Sequence, residues 1–251
     1  MTEVHVMDIS NKSLTSLPPI PSTVTHLYCC GNNLTMIPPL PPSLIALSCA
    51  NNLITELPAL PPSLQYLNCS CNKVKQLPAL PDSIDYLNCS YNMLAELPTL
   101  PAQLKTIYCF QNELTELPSL PPLLKTLSCA NNKITKLPTI PASLLHAYCH
   151  NNKLISLANI PVSLYTFTVF DNILNPTLLR ITSLDQYPPF NILQNIRDYY
   201  KTLEAARNTL ALQMTFVDVM NDDCISVISS YLSGKTGTLP MQITKLKNCI
   251  V

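Results

Sequence analysis

From Leu14 to about Asn172 the chain returns to the same residue types every 20 positions, making eight complete units behind one partial unit. A central unit reads Leu57-Pro58-Ala59-Leu60-Pro61-Pro62-Ser63-Leu64-Gln65-Tyr66-Leu67-Asn68-Cys69-Ser70-Cys71-Asn72, a motif of the form LPxLPxSLxxLxCxxN. A fixed period of this length is the signature of a solenoid. One unit cannot bury its apolar side chains alone, whereas a stack of units shares a continuous interior.

The slots of the unit have separate physical roles. In Leu64-x-x-Leu67-x-Cys69 the alternation puts Leu67 and Cys69 on one side of a short strand, and stacked copies make a parallel sheet. The aliphatic slot after the asparagine (Leu34, Ile54, Val74, Leu94, Leu114, Ile134, Leu154) and the slots of Leu57 and Leu60 are expected at the same depth. Each such side chain stabilises the stack by about 1.5–3 kcal/mol if fully buried. Asn32, Asn52, Asn72, Asn92, Asn112, Asn132, Asn152 and Asn172 form a column just after the strand. There the turning chain leaves backbone groups without strand partners, and a carboxamide offers both donors and an acceptor. The proline column Pro21, Pro41, Pro61, Pro81, Pro101, Pro121, Pro141 and Pro161 fixes φ near −65° and removes an N–H. It favours an extended, polyproline-like back with no room for a full helix.

Cys29, Cys49, Cys69, Cys89, Cys109, Cys129 and Cys149 form a further column. In-register strands would set their sulfurs roughly 4.8 Å apart inside the coil. A metal ladder or redox role can be read from this, but free cysteine is also a small hydrophobe often found buried. Val169 takes the same slot in the last unit, so packing is the preferred reading. Reduced thiols point to an intracellular setting, and no secretory signal is visible at the N-terminus.

Composition narrows the partner class. The 251 residues carry 15 basic and 15 acidic side chains, which gives no electrostatic reason to expect nucleic acid or an anionic membrane. No apolar run approaches the ~18 residues of a membrane span. Charged residues make up 12% of the chain, so its surface is unusually neutral. The 24 prolines are accompanied by only 3 glycines and many aliphatic residues, unlike a disordered proline-rich segment.

The stretch from Leu77-Pro78 through Leu94 resembles the short bacterial-type leucine-rich repeats, in which the strand ends L-x-V-x-x-N and cysteine here replaces valine. The resemblance extends over about residues 4–173. It implies an α/β leucine-rich-repeat solenoid: a curved parallel sheet, short coils with an extended convex side, and a C-terminal helical cap. Among bacterial effectors with such repeats, one branch carries a ubiquitin-ligase domain and the other is scaffold alone. The ligase signature Cys-x-Asp is absent here, since Cys224 precedes Ile225-Ser226. Cysteine-bearing repeats also look like proteins of large DNA viruses of protists, which implies a host-interaction protein or a virion component.

The outward strand slots, expected on the concave face, hold Tyr28, Tyr66, Asn68, Tyr86, Asn88, Tyr108, Phe110, His146, Tyr148, His150 and Phe170 among small polar residues. Tyrosine is amphipathic and suits a protein interface. The competing reading is a solvated polar sheet. Asp85, Lys105 and Lys125 would rim this surface. A strand spacing of four holds His146 and His150 about 13 Å apart, which argues against a shared metal ion. Neither a phosphate loop, a Ser/His/Asp arrangement nor a zinc spacing is visible, so a non-catalytic protein-binding scaffold without cofactor is expected.

Three parts are expected: a partial repeat over 1–13, the solenoid over 14–173 and a helical cap over 174–251. Within the cap, Ile192, Leu193, Ile196, Tyr199, Tyr200, Leu203, Ala206 and Leu210 follow a helical stripe. A second helix is expected from Asn221 or Asp222 to Gly234, and a third after Pro240. The second faintly resembles the start of an F-box, an adaptor alternative. At the other end, Val4, Val6, Met7 and Ile9 leave an open strand edge expected to contact a second copy or another chain.

Overall fold

The computed structural model describes residues 4–174 except 158, 159 and 162, together with Lys201, which is helical and exposed. The expected helices of the C-terminal cap lie outside the described residues. Chain contacts divide the protein into two units, 1–173 and 174–251.

Nine three-residue strands follow one another: β1 (Val6–Asp8), β2 (His26–Tyr28), β3 (Ala46–Ser48), β4 (Tyr66–Asn68), β5 (Tyr86–Asn88), β6 (Thr106–Tyr108), β7 (Thr126–Ser128), β8 (His146–Tyr148) and β9 (Thr166–Thr168). They pair in sequence order as one parallel sheet, each residue opposite the residue one period on, as in Leu67 opposite Leu87. No helix or strand occurs on the back of the coil among the described residues, as expected from the proline column.

Each turn of the coil builds the same interior. Leu64, Leu67, Cys69 and Val74 are wholly buried, and Leu77 nearly so. The equivalent side chains of the neighbouring coils cover them above and below. The Leu60 slot departs from expectation: Leu100 and Ile140 are buried, but Ile20, Leu40, Leu60, Leu80, Leu120 and Ile160 are only half-buried. These side chains sit on the thin back, where no further layer covers them among the described residues.

The proline column also opens a turn. The carbonyl of Pro61 accepts a hydrogen bond from the Leu64 N–H at 3.1 Å, and the same turn recurs from Pro21 to Pro161. The turn returns the chain from the back to the strand, with Pro62 at the position where a fixed φ suits a turn. Beside it runs a column whose role was not read from the motif. The Ser63 hydroxyl donates to the carbonyls of Pro42 and Leu44 in the preceding coil at 2.8 and 2.7 Å. Ser43 and Ser83 make the equivalent pair of bonds. Gln103 and Leu123 interrupt this column.

Just after each strand one residue adopts a left-handed backbone. The slot holds Asn11 at φ 57° and Gly31 at φ 65°, then Asn51, Cys71, Tyr91, Gln111, Asn131, Asn151 and Asp171 at φ between 52° and 55°. Glycine and asparagine tolerate this region, whereas a larger L-residue is strained by roughly 1 kcal/mol. Cys71→Asn, matching Asn51 and Asn131, is therefore expected to raise unfolding free energy by about 0.5–1 kcal/mol, read from the urea midpoint.

Candidate functional site

The sheet has two faces with opposite chemistry. Its inner face is the apolar interior; its outer face carries the slots that flank each buried central residue, as Tyr66 and Asn68 flank Leu67.

Tyr66, Tyr86 and Tyr108 form a row along β4 to β6. The rings of Tyr66 and Tyr86 stack at 4.5 Å with 8° between planes, and Tyr108 tilts against Tyr86 at 5.9 Å. Partial burial, with Tyr66 and Tyr108 close by, raises the Tyr86 phenol above its ordinary value, so Tyr86 is uncharged at neutral pH. Asn68 Oδ1 accepts from the Ser70 N–H and hydroxyl at 3.1 and 2.8 Å, and Asn88 Oδ1 accepts from the Ser90 N–H at 3.1 Å. Phe110 meets Tyr91 edge-on at 5.1 Å, which joins the left-handed slot to the outer face. Tyr28 lies 6.4 Å from His26 at the β2 end.

A second aromatic row lies on β8 and β9. His146 Nδ1 is 3.2 Å from the Thr166 hydroxyl, and His150 Nδ1 is 2.9 Å from the Thr168 hydroxyl. The His150 ring stacks on Phe170 at 4.6 Å, and Tyr148 stands half-buried between the two histidines. On either side of the β4 to β6 row the side chains are short and largely buried: Ala46, Ser48 and Ala50 along β3 and just after it, Ser128 and Ala130 along β7 and just after it. Across the rim the Lys105 ammonium meets the Asp85 carboxylate at 3.0 Å, an exposed pair. Lys125 is the next residue in this rim slot.

Burial holds the His150 pKa below its ordinary value, while the Asp171 carboxylate opposes the shift. The unfolded chain then binds the proton more readily, so stability is full above about pH 6.5 and falls as the pH drops below it. The urea midpoint is expected to decrease through that range, and His150→Gln to flatten the decrease.

The asparagine column sits behind the sheet. Asn72 shows the pattern: its Oδ1 accepts from the Ile54 N–H at 2.9 Å. Its Nδ2 donates to the carbonyls of Cys49 and Cys69 at 3.0 and 3.1 Å. Asn32, Asn52, Asn92, Asn112, Asn132, Asn152 and Asn172 repeat both halves, so each amide ties its own coil to the preceding one.

Cys29, Cys49, Cys69, Cys89, Cys109, Cys129 and Cys149 are buried, unbridged thiols. The sulfurs of Cys129 and Cys149 lie 3.5 Å apart, closer than the expected strand spacing, because rotation about χ1 swings a sulfur off the Cβ line. Desolvation pushes the thiols of Cys29 and Cys69 up to about 12 and raises Cys49, Cys89 and Cys109 well above the ordinary value. Cys149 is raised chiefly by its hydrogen bond with Cys129. Among the described residues no group of three or more His, Cys, Asp or Glu is placed to hold a metal ion. No described helix is long and apolar enough to cross a membrane. At the sheet edge, Val4, just before β1, and Val6, its first residue, are 63% and 57% exposed.

Comparison with known proteins agrees with this geometry. A family described as leucine-rich repeats (two copies) matches residues 42–82. The leucine-rich-repeat domain of a Shigella effector is 34% identical with a TM-score of 0.54, over 72% of this chain and 77% of that one. YopM, a leucine-rich effector protein from Yersinia pestis, is 31% identical with a TM-score of 0.52, over 67% of this chain and 61% of that one. The functional domain of InlJ from Listeria monocytogenes, which includes a cysteine ladder, is 32% identical with a TM-score of 0.63, over 66% of this chain and 39% of that one. This chain thus spans less than two thirds of YopM and of the InlJ domain. No curated protein matches. None of these three similarities supports the virion or F-box readings. Period, register, asparagine column and structural likeness agree: the chain belongs to the leucine-rich-repeat family.

Proposed function

We propose that the protein is a non-catalytic scaffold that binds another protein through the outer face of its sheet. The observation that carries this reading is the row Tyr66, Tyr86 and Tyr108, in which neighbouring rings already pack against one another on a regular sheet. Rings held in this way lose little further entropy on binding, and tyrosine is a frequent anchor of protein interfaces. Leucine-rich-repeat scaffolds generally bind proteins, which supports the same reading.

The test is site-specific photocrosslinking in native lysate, with the reactive side chain at Tyr86 or at Glu96 on the opposite side of the coil. A discrete protein adduct from position 86 and none from 96 is expected, and Tyr66→Ala with Tyr108→Ala should abolish it without changing the circular dichroism. Adducts from position 96 alone would contradict the reading.

A second contact is favoured by exposed Val4 and Val6 at the β1 edge. Self-association there is expected to appear as a concentration-dependent mass in light scattering, which Val6→Lys removes; a constant monomer mass would contradict it.

A further inference from the structure

After each residue of the asparagine column, the coil exposes side chains on one flank of the solenoid around a buried aliphatic residue, as Glu113, Thr115 and Glu116 surround Leu114. Backbone bonds between coils hold this flank in register. The N–H groups of Glu113, Lys133 and Lys153 donate to the carbonyls of Leu94, Leu114 and Ile134 at 2.9, 2.8 and 2.9 Å. The fold therefore sets where the charges of the flank stand.

Those charges are sorted into two blocks. Glu96, Glu113 and Glu116 occupy two successive coils, and Lys133, Lys136 and Lys153 occupy the next two; all are exposed. Lys73 and Lys75 end the acidic block on its far side. Lys133 and Glu113 pair within the chain at 3.1 Å, whereas Glu96, Glu116, Lys136 and Lys153 have no ion pair among the described residues. Sorting works against the single chain. Glu96 and Glu116 share a slot one coil apart, as do Lys133 and Lys153, and like charges side by side repel. Alternating signs would instead neutralise each coil with the next, as Asp85 and Lys105 do on the rim.

The order of the blocks names the occupant. A surface acidic at one end and equally basic at the other fits a copy of itself turned about a two-fold axis that passes between the Glu113 and Lys133 coils. The rotation reverses both the order of the coils and the direction of the chain across the flank. Glu96 then meets the partner's Lys153, Glu113 the partner's Lys136 and Glu116 the partner's Lys133. Ile155, 61% exposed, comes over the partner's Ala95. A different protein would have to present the same charges in reverse order, whereas a second copy carries them already.

We propose that this flank is the two-fold contact of a weak homodimer held by those three pairs, each made twice. Four coils and four residues of extended chain cover roughly 19 by 13 Å, well below a standard interface. Exposed ion pairs each contribute little. The dimer therefore forms at high concentration and low salt, and position 96 stays blank in a lysate, where the chain is dilute.

The test is sedimentation velocity on the full chain carrying Val6→Lys, so that association at the β1 edge does not contribute. A shift from monomer to dimer with concentration is expected at low salt, and raising salt about tenfold should weaken it by about tenfold or more. Glu96→Lys and Lys153→Glu should each weaken dimerisation by about tenfold or more, because each sets two like-charged pairs across the contact. An equimolar mixture of these two variants regains opposite charges at both places and should dimerise within about threefold of the parent. Glu116→Lys with Lys133→Glu repeats the comparison at a second pair, and circular dichroism confirms that the variants are folded. A monomer at every concentration would overturn the proposal and leave the β1 edge contact standing. So would a dimer indifferent to salt or to the substitutions, or a mixture that stays monomeric.

Discussion

Asn72→Ala is expected to lower the unfolding free energy by about 3–5 kcal/mol, since each backbone group left buried without a partner costs about 1–3 kcal/mol. The carboxamide holds the Ile54 N–H and the carbonyls of Cys49 and Cys69, which belong to two successive coils. Alanine removes these bonds together with a longer one from Nδ2 to the Ser70 carbonyl at 3.2 Å, and leaves part-buried backbone groups of two coils without this partner. Asn72→Asp keeps the acceptor for Ile54 but turns a carboxylate toward two carbonyl oxygens, and is expected to be at least as harmful. Lys133→Ala, which removes an exposed ion pair with Glu113, is the control and should cost less than about 1 kcal/mol. Urea denaturation of the three variants checks the order.

Cysteine alkylation is expected to divide the thiols into two classes by orders of magnitude. The thiolate is the reacting species, and a pKa near 12 in place of 9.0 reduces the thiolate fraction about a thousandfold at mildly alkaline pH. Burial of Cys29, Cys49, Cys69, Cys89, Cys109, Cys129 and Cys149 blocks the reagent as well. Cys30 and Cys71 are partly exposed and should be alkylated in the folded protein, as peptide mapping would show. In denaturant all 11 cysteines should react. Rapid alkylation of Cys89 under native conditions would contradict a continuous interior.

How much was legible in the sequence follows from what each slot depends on. The 20-residue period alone implies the parallel register, because residues one period apart must align for the same slot to be buried in every coil. Leu67 and Cys69 were readable as inward by alternation. Leu60 was misjudged because its residue type matches Leu57 while its place on the thin back differs, and a pattern does not report coverage from outside. The left-handed slot was hidden because its occupants range from Gly31 to Tyr91. Hydrogen bonds between coils, such as Cys71 N–H to the Ser90 carbonyl at 2.9 Å, hold that turn whatever the residue.

The outer face was legible as a set of slots but not as a surface. That Tyr66 and Tyr86 would stack, and that His146 and His150 would each engage a separate threonine on β9, depends on side-chain rotation that spacing does not determine. The serine column was visible as a letter of the motif. Its purpose became clear only with the carbonyls of the preceding coil in place, and recurrence at the same step was the available signal.

Stacking of interchangeable coils is tested most directly by deletion within the solenoid. Removing residues 70–89 joins Cys69 to Ser90 and keeps every slot in phase, whereas removing residues 70–79 joins Cys69 to Leu80 and puts all later coils out of phase. The first variant is expected to unfold cooperatively in urea at a somewhat lower midpoint, and the second to lose the transition. Equal behaviour of the two deletions would contradict the shared interior on which the scaffold depends.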